Sequence, residues 1–222
     1  MTAYWHSLIA ALMTPAAHLW GVDMTWLEVL AVVLSLLMVW LNFRVNPWAW
    51  PLAIVASALY AVLFAQYGLY GEASLQFVFI AMSLWGWWQW LWGRDERQQA
   101  LTVRQASARH LGVGLAAWVV LWLGIGLFLD HLTDSTVPYW DALPTAGSLV
   151  GQWWLARKWV ANWPMWLVVN VISVGLFVTK AMWLTALLYA AFAMLSIWGW
   201  KAWLRLCRQG PHARVQPSAA GG

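Results

Sequence analysis

The chain has 222 residues, of which 63% are hydrophobic and 9% are charged. Soluble domains carry about 25% charged residues, so this composition excludes a soluble fold, whose core it has too little polar surface to cover. The formal net charge of +4 does not indicate nucleic-acid binding, because the basic residues lie at the ends of apolar segments instead of in one patch. The 23 tryptophans suit a membrane–water interface or an aromatic pocket.

The first 24 residues are expected to form an external segment that lies along the membrane surface. Residues 1–20 contain neither Lys nor Arg, so they lack the positively charged start of a signal peptide. A short interfacial helix, interrupted by Pro15, is predicted instead. Its apolar residues are Tyr4, Trp5, Leu8, Leu12 and Leu19.

Seven stretches are long and apolar enough to cross a bilayer as helices, each of which needs about 20 residues. Their approximate bounds are 25–43, 47–66, 72–92, 111–129, 141–158, 163–179 and 183–206, the fifth being the least apolar. This predicts an all-α integral membrane protein with seven transmembrane helices. Its expected parts are an N-terminal segment at 1–24, a three-helix unit at 25–92, a basic loop at 93–110, a linker helix at 111–129, a second three-helix unit at 141–206 and a disordered tail at 207–222.

The basic residues predict how the chain crosses the membrane. With seven spans, eleven of the twelve fall on one side, and only Lys180 falls on the other. Because Lys and Arg collect in cytoplasmic loops, we expect the N-terminus outside and the C-terminus inside. The eleven are Arg44, Arg94, Arg97, Arg104, Arg109, Arg157, Lys158, Lys201, Arg205, Arg208 and Arg214.

An internal repeat is visible in the tryptophan motifs. The pattern Trp-Gly-Trp-x-x-Trp ends the third span at 85–90 and the seventh span at 198–203, 113 residues apart. Residues 46–50, Asn-Pro-Trp-Ala-Trp, resemble residues 162–166, Asn-Trp-Pro-Met-Trp, at an offset of 116. A length difference of three residues in a loop would reconcile the two offsets. Spans one to three then repeat as spans five to seven, and span four makes the two copies parallel, in a 3+1+3 plan.

Span four is expected to be the linker between the copies. Its middle, residues 113–128, has no polar side chain apart from the indole nitrogens of Trp118 and Trp122. Such a helix suits a position outside the bundle, where it faces lipid.

Polar side chains recur at helical spacing within the repeat spans, where they are costly unless they face other helices or a cavity. Examples are Glu28, Ser35 and Asn42 in span one, and Thr145, Ser148 and Gln152 in span five. These stripes predict a polar, aromatic cavity. For the serines, hydrogen bonding to their own or a neighbouring helix is the competing interpretation. For Gln76, Gln152 and Asn170, a substrate pocket and an interhelical clasp remain open alternatives.

Aromatic residues divide into two predicted groups. Candidates for the cavity are Phe79, Tyr189, Trp50, Trp166 and Trp183. The paired motifs lie at the cytoplasmic interface, where tryptophan anchors are typical, and their glycines would allow a neighbouring helix to approach closely. We therefore interpret them as architecture or gating, and their residues are Trp85, Gly86, Trp87, Trp198, Gly199, Trp200 and Trp203.

Enzyme chemistry has no support in the sequence. The five histidines are scattered without metal-ligand spacing, and neither a phosphate-binding glycine loop nor a Gly-x-Ser-x-Gly elbow occurs. No carboxylate pair lies deep in a span, which argues against coupling to protons or sodium ions. We expect no metal, no cofactor and transport by facilitated diffusion.

Paired Trp-Gly-Trp motifs that end the third and seventh spans of a 3+1+3 chain resemble the PnuC family of bacterial nicotinamide riboside transporters, which is similar in fold to the SWEET sugar transporters. The second copy departs from the first by having Lys201 where the first has Trp88. The resemblance implies a carrier for nicotinamide riboside, a cationic vitamin B3 precursor of NAD, in the inner membrane, with its N-terminus periplasmic. It also implies a homo-oligomer, a trimer, and a cytoplasmic kinase that traps the substrate by phosphorylation.

Two alternatives remain at this point. One is a carrier for a sugar or another nucleoside on the same fold. The other is a membrane scaffold subunit that transports nothing, which would bury its amides between helices and leave no central cavity.

Overall fold

The computed structural model describes residues 9–19, 22–66, 70–133, 137–179 and 183–209. The long helices and the strands of this part of the chain are β1 (Pro15–Leu19), β2 (Val22–Thr25), α1 (Trp26–Phe43), α2 (Ala49–Gln66), α3 (Tyr70–Trp92), α4 (Ala108–Leu132), α5 (Pro138–Ala156), α6 (Asn162–Thr179) and α7 (Trp183–Gln209). Lys180, the side chain of Trp183 and residues 210–222 of the predicted tail lie outside the described residues.

Each of the seven predicted spans corresponds to one helix. Five of them, α1, α2, α4, α6 and α7, are long and apolar enough to cross a membrane. Helices α3 and α5 are also 23 and 19 residues long, but tryptophan, glutamine and glycine lower their hydropathy. Helix α7 continues to Gln209, so the tail begins later than the predicted residue 207.

Tyr4, Trp5 and Leu8 of the predicted interfacial helix lie outside the described residues, and residues 9–12 are helical. The prediction is wrong for Leu19, which lies in a strand. Pro15 begins β1, because proline has no N–H with which to continue a helix. Strand β1 pairs antiparallel with β2. Helix α1 then starts at a capping box that the sequence analysis missed. The Thr25 N–H donates to Glu28 Oε2 at 2.8 Å, and the Glu28 N–H donates to Thr25 Oγ1 at 3.2 Å. Glu28 therefore caps a helix.

The chain forms two compact units, residues 1–87 and 88–222, with the division inside α3. In the first unit α1 packs against α2. The buried residues of α1 include Ser35 and Asn42, as the predicted stripe requires. The Ser35 hydroxyl donates to the carbonyl of Ala31 at 2.8 Å, so this serine is satisfied by its own helix, as its competing interpretation held.

In the second unit, α4 to α7 pack pairwise in chain order around a core. The buried members of this core are Val150, Trp154, Trp159, Met165 and Val169. Much of α4 is exposed, and its lipid-facing role stays a prediction. Its two tryptophans nevertheless bind α5, because Trp118 Nε1 donates to the Leu143 carbonyl at 3.0 Å and Trp122 Nε1 to the Tyr139 carbonyl at 2.7 Å.

The turn between α1 and α2 is repeated in the turn between α5 and α6. Arg44 and Arg157 end their helices with the same φ of −85°. The next residues, Val45 and Lys158, have left-handed φ values of 53° and 55°, which are uncommon for residues other than glycine. The residue numbers in both pairs differ by 113.

The hydrogen bonds of the two turns follow the same offset. Asn46 N–H donates to the Leu41 carbonyl and Trp159 N–H to the Trp154 carbonyl, each at 3.0 Å. The backbone thus repeats at an offset of 113, which is also the offset of the Trp-Gly-Trp motifs.

Candidate functional site

The predicted polar stripes of α6 and α7 meet inside the second unit. Asn170, only 6% exposed, donates from Nδ2 to Ser196 Oγ at 3.3 Å. The Ser196 hydroxyl in turn donates to the Phe192 carbonyl at 2.8 Å. Ser173, three residues after Asn170, is also buried. Asn170 therefore bridges two helices through one of its two amide protons and retains further hydrogen-bonding capacity.

Aromatic rings continue this contact toward the other end of the helix pair. The rings of Phe177 and Tyr189 are 5.1 Å apart, and Phe192 meets Tyr189 edge-on at 6.2 Å. The sequence analysis missed Phe177, although it follows Asn170 by seven residues and so lies on the same face of α6. We call Asn170, Phe177, Tyr189, Phe192 and Ser196 the α6–α7 cluster.

Two other predicted binding residues lie on α3 in the first unit. Gln76 and Phe79 are both half-buried there. At the offset of 113, Gln76 corresponds to Tyr189 and Phe79 corresponds to Phe192. The first copy therefore carries polar and aromatic side chains at the positions that the α6–α7 cluster uses in the second.

Gln152 is a buried residue of α5, in the second unit. Its role in binding stays a prediction, as does that of Trp183, whose side chain lies outside the described residues.

Trp50 and Trp166, both predicted to stack on a ligand, lie in packing contacts. Trp50 is buried, and a Cβ added to Gly86 would overlap its ring. Trp166 is half-buried beside Gly151 and packs against the core of the second unit. Their stacking on a substrate stays a prediction, which this packing does not favour.

The glycines of the two Trp-Gly-Trp motifs make the same contact. Gly86 receives the ring of Trp50, and Gly199 receives the ring of Trp163, in both cases so closely that a Cβ would overlap it. Trp50 and Trp163 are 113 residues apart, as the glycines are. The predicted equivalence of Trp50 with Trp166 is therefore wrong, because one constant offset aligns the turns, the ring contacts and the motifs without a loop insertion.

Within each motif, the tryptophans become less exposed from the first to the last. Trp85, Trp198 and Trp200 are exposed, while Trp87 is half-buried. The last tryptophan of each motif is buried, Trp90 being 6% and Trp203 0% exposed. Trp203 meets Trp163 edge-on at 5.6 Å and lies 6.2 Å from Trp90.

The loop between α3 and α4 is held against the turn that follows α5. Arg104 N–H donates to the Lys158 carbonyl at 3.2 Å, and Val160 N–H donates to the Arg104 carbonyl at 3.0 Å. The buried Lys158 ammonium donates to the Leu101 carbonyl at 3.0 Å and lies 5.1 Å from the centre of the Trp90 ring. A buried ammonium needs such partners, so this contact fixes the loop in place.

Charged groups surround this loop. The Gln99 N–H, followed by the Arg97 N–H and the nearby guanidinium groups, lowers the pKa of Asp95 below its usual 3.8. Burial lowers the pKa of Arg157, and the nearby Arg104 adds to this effect. Arg157 Nη1 donates to Gln89 Oε1 at 3.2 Å. Among the described residues, no group of His, Cys, Asp and Glu has the arrangement of a metal site.

Known proteins resemble this chain over most of its length. Residues 25–205 match the sequence model of the family described as "Nicotinamide mononucleotide transporter". The nicotinamide riboside transporter PnuC of Escherichia coli is 23% identical over 213 residues, which cover 85% of this chain and 89% of that protein. The riboflavin/roseoflavin transporter RibM of Streptomyces davaonensis is 31% identical over 182 residues, which cover 80% of this chain and 84% of that protein.

A solved structure shares the fold. The crystal structure of the vitamin B3 transporter PnuC superposes with a TM-score of 0.68, at 22% identity and 83% coverage of both chains. The helical fold, the apolar helices and the family match agree on a multi-pass membrane transporter and not an enzyme. This confirms the resemblance to PnuC, and the chain belongs to the nicotinamide mononucleotide transporter family.

Proposed function

We propose that this protein carries nicotinamide riboside across the bacterial inner membrane by facilitated diffusion. Family membership and the named activity of the PnuC relatives support this proposal. The absence of a carboxylate pair in the spans of the sequence supports a carrier that is coupled neither to protons nor to sodium ions. The direction of net uptake then follows the substrate gradient, which a cytoplasmic kinase maintains by phosphorylating the product.

The observation that carries this proposal is the α6–α7 cluster. Its amide, Asn170, is buried and keeps one N–H donor and its carbonyl acceptor for a carboxamide or a ribose hydroxyl. Its rings, Phe177, Tyr189 and Phe192, offer faces that attract a delocalised pyridinium cation by about 0.5–2 kcal/mol each. Gln76, Phe79, Gln152 and Trp183 complete the proposed set of binding residues.

The proposed architecture is the 3+1+3 plan, with α1–α3 and α5–α7 as parallel repeats and α4 as their linker. The repeated turn and the repeated glycine–tryptophan contact support the duplication. The basic residues support a periplasmic N-terminus and a cytoplasmic C-terminus. Transport then proceeds by alternating access, for which we assign gating to the Trp-Gly-Trp helix ends. The proposed assembly is a homotrimer.

Riboflavin is the second candidate substrate. The observation that favours it is the 31% identity with a riboflavin/roseoflavin transporter, which is higher than the identity with the Escherichia coli nicotinamide riboside transporter. Riboflavin is a flat, neutral aromatic with a sugar-like chain, so it would also use aromatic faces and amides. It lacks the positive charge that makes several aromatic rings favourable.

The test is counterflow in liposomes that contain the purified protein, without ATP and without an ion gradient. Vesicles preloaded with unlabelled nicotinamide riboside should take up the labelled compound, and excess riboflavin should compete weakly. Asn170→Ala should weaken uptake about tenfold at low substrate, the effect expected for one lost hydrogen bond to the substrate. Ser148→Ala is the matched control, because the Ser148 hydroxyl donates only to its own helix, at Pro144.

Each outcome decides between the candidates. Counterflow of riboflavin without counterflow of nicotinamide riboside would replace the first substrate by the second. If neither compound shows counterflow in vesicles where the protein is folded, both substrates are excluded. Normal uptake by Asn170→Ala would keep the carrier and remove the α6–α7 cluster from its site.

A further inference from the structure

An apolar groove of about 460 Å³ runs along the second unit between α4, α6 and α7. Leu115 of α4, Val168 of α6 and Leu204 of α7 are among the residues that line it, and Trp200 lies beside Leu204 one turn earlier. Of its described lining residues, Gln105 is the one with a polar side chain that is not aromatic. The groove therefore suits an unbranched apolar chain and offers little to a polar solute.

The apolar walls of the groove are open to the surroundings of the molecule. Leu115 is 49%, Val168 42% and Trp200 37% exposed. In a multi-pass membrane protein these side chains meet hydrocarbon, either of lipid or of another apolar surface. The volume is that of about one lipid acyl chain.

One end of the groove is basic. Arg208 follows Leu204 by four residues and Trp200 by eight, so it lies one turn further along the face of α7 that lines the groove. Arg104 precedes Gln105, and its backbone is fixed by the bonds to Lys158 and Val160. The Arg104 side chain already lies 3.7 Å from the Asp95 carboxylate, whereas the Arg208 side chain is exposed.

We propose that this groove binds one anionic phospholipid, with an acyl chain along α4, α6 and α7 and its phosphate at Arg208. The charge of the rim selects this occupant. The exposed Arg208 at the end of an apolar groove matches the negative headgroup and the acyl chain of such a lipid, and a second copy of the chain is the other occupant that the test distinguishes. An anionic headgroup gains about 1 kcal/mol for each such cation at the membrane surface.

Native mass spectrometry of the detergent-purified full-length protein tests the site, with phosphatidylglycerol and phosphatidylcholine of identical acyl chains added in turn. Wild type should retain phosphatidylglycerol preferentially, and Arg208→Gln should reduce that preference about fivefold, the ratio that about 1 kcal/mol represents. Arg97→Gln is the control, because it removes one exposed cation from the loop after α3 without touching the groove. Leu115→Trp, which narrows the groove, should reduce retention of both lipids.

Three results would overturn the proposal. If wild type and Arg208→Gln prefer phosphatidylglycerol to the same extent, Arg208 does not contact the phosphate. If Arg97→Gln loses the preference for phosphatidylglycerol as much as Arg208→Gln does, the lipid is attracted to the basic surface in general. Retention of lipid unchanged by Leu115→Trp, together with dissociation of an oligomer in that variant, would assign the groove to a second copy of the chain.

Discussion

The contact between Gly199 and the ring of Trp163 gives the most direct test of how the helix ends are built. Gly199→Ala places a methyl group where the ring now lies. The indole is rigid and buried, and it is held edge-on by the fully buried Trp203, so it has little room to move. Overpacking of this kind costs about 1–3 kcal/mol.

A control separates this clash from the effect of alanine itself. Alanine in place of glycine favours a helix by about 1 kcal/mol, whatever its surroundings. Gly112 and Gly124 of α4 have open space where a Cβ would be. Gly112→Ala and Gly124→Ala should therefore gain helix stability without a clash. The difference between Gly199→Ala and these controls should therefore be the whole 1–3 kcal/mol, or roughly 3–9 °C in melting temperature.

The assay is thermal unfolding in detergent, followed by intrinsic tryptophan fluorescence. Gly86→Ala should behave like Gly199→Ala, because the ring of Trp50 makes the same contact in the first unit. Trp163→Phe, added to Gly199→Ala, should recover part of the loss by removing the ring atoms that clash. If Gly199→Ala melts as high as the α4 controls, the ring contact is not a constraint and the reasoning fails.

Three further predictions concern single side chains. Lys158→Met should lower the free energy of unfolding by about 1–3 kcal/mol, because the Leu101 carbonyl loses its buried donor. Protease cleavage of the loop at 93–107 should then increase. Unchanged cleavage would contradict the contact. Because the pKa of Asp95 is lowered in the folded protein, its carboxylate stabilises the fold fully above the unfolded pKa of 3.8. This stabilisation is lost as the pH falls through the lower pKa of the folded state. The melting temperatures of wild type and Asp95→Ala should therefore converge in acid. Ser148→Ala should change stability by less than about 0.5 kcal/mol, because its hydroxyl donates within its own helix; a larger loss would indicate a partner on another helix.

Local patterns in the sequence predicted most of the fold. The seven long helices, the duplicated motif and the shared face of Asn170 with Ser173 all follow from length and helical periodicity, which are properties of neighbouring residues. The Trp-Gly-Trp motif was also sufficient to identify the family, because its two copies lie at the same end of corresponding helices.

Contacts between distant residues were harder to predict. Periodicity says which face of α6 carries Trp166 but not which helix covers that face, and the ring is held by α5 instead of lining the α6–α7 cluster. Lys158 finds its partner 57 residues away in an irregular loop, for which no periodic pattern exists. The capping box at Thr25 was a local signal, and it was missed because the stripe with Ser35 offered a competing explanation for Glu28.

The two identical turns also pose a problem for assembly of the chain. The loop that follows α3 pairs with the turn after α5 through the Val160 N–H, which donates to the Arg104 carbonyl, and the matching residue of the turn after α1 is Pro47, which has no N–H. The residue at the left-handed position also differs, because the side chain of Val45 has no donor whereas Lys158 supplies an ammonium for the Leu101 carbonyl. Two positions therefore distinguish the turns. Val45→Lys would supply the ammonium, but Pro47 would still lack the backbone donor that the loop uses in the second unit.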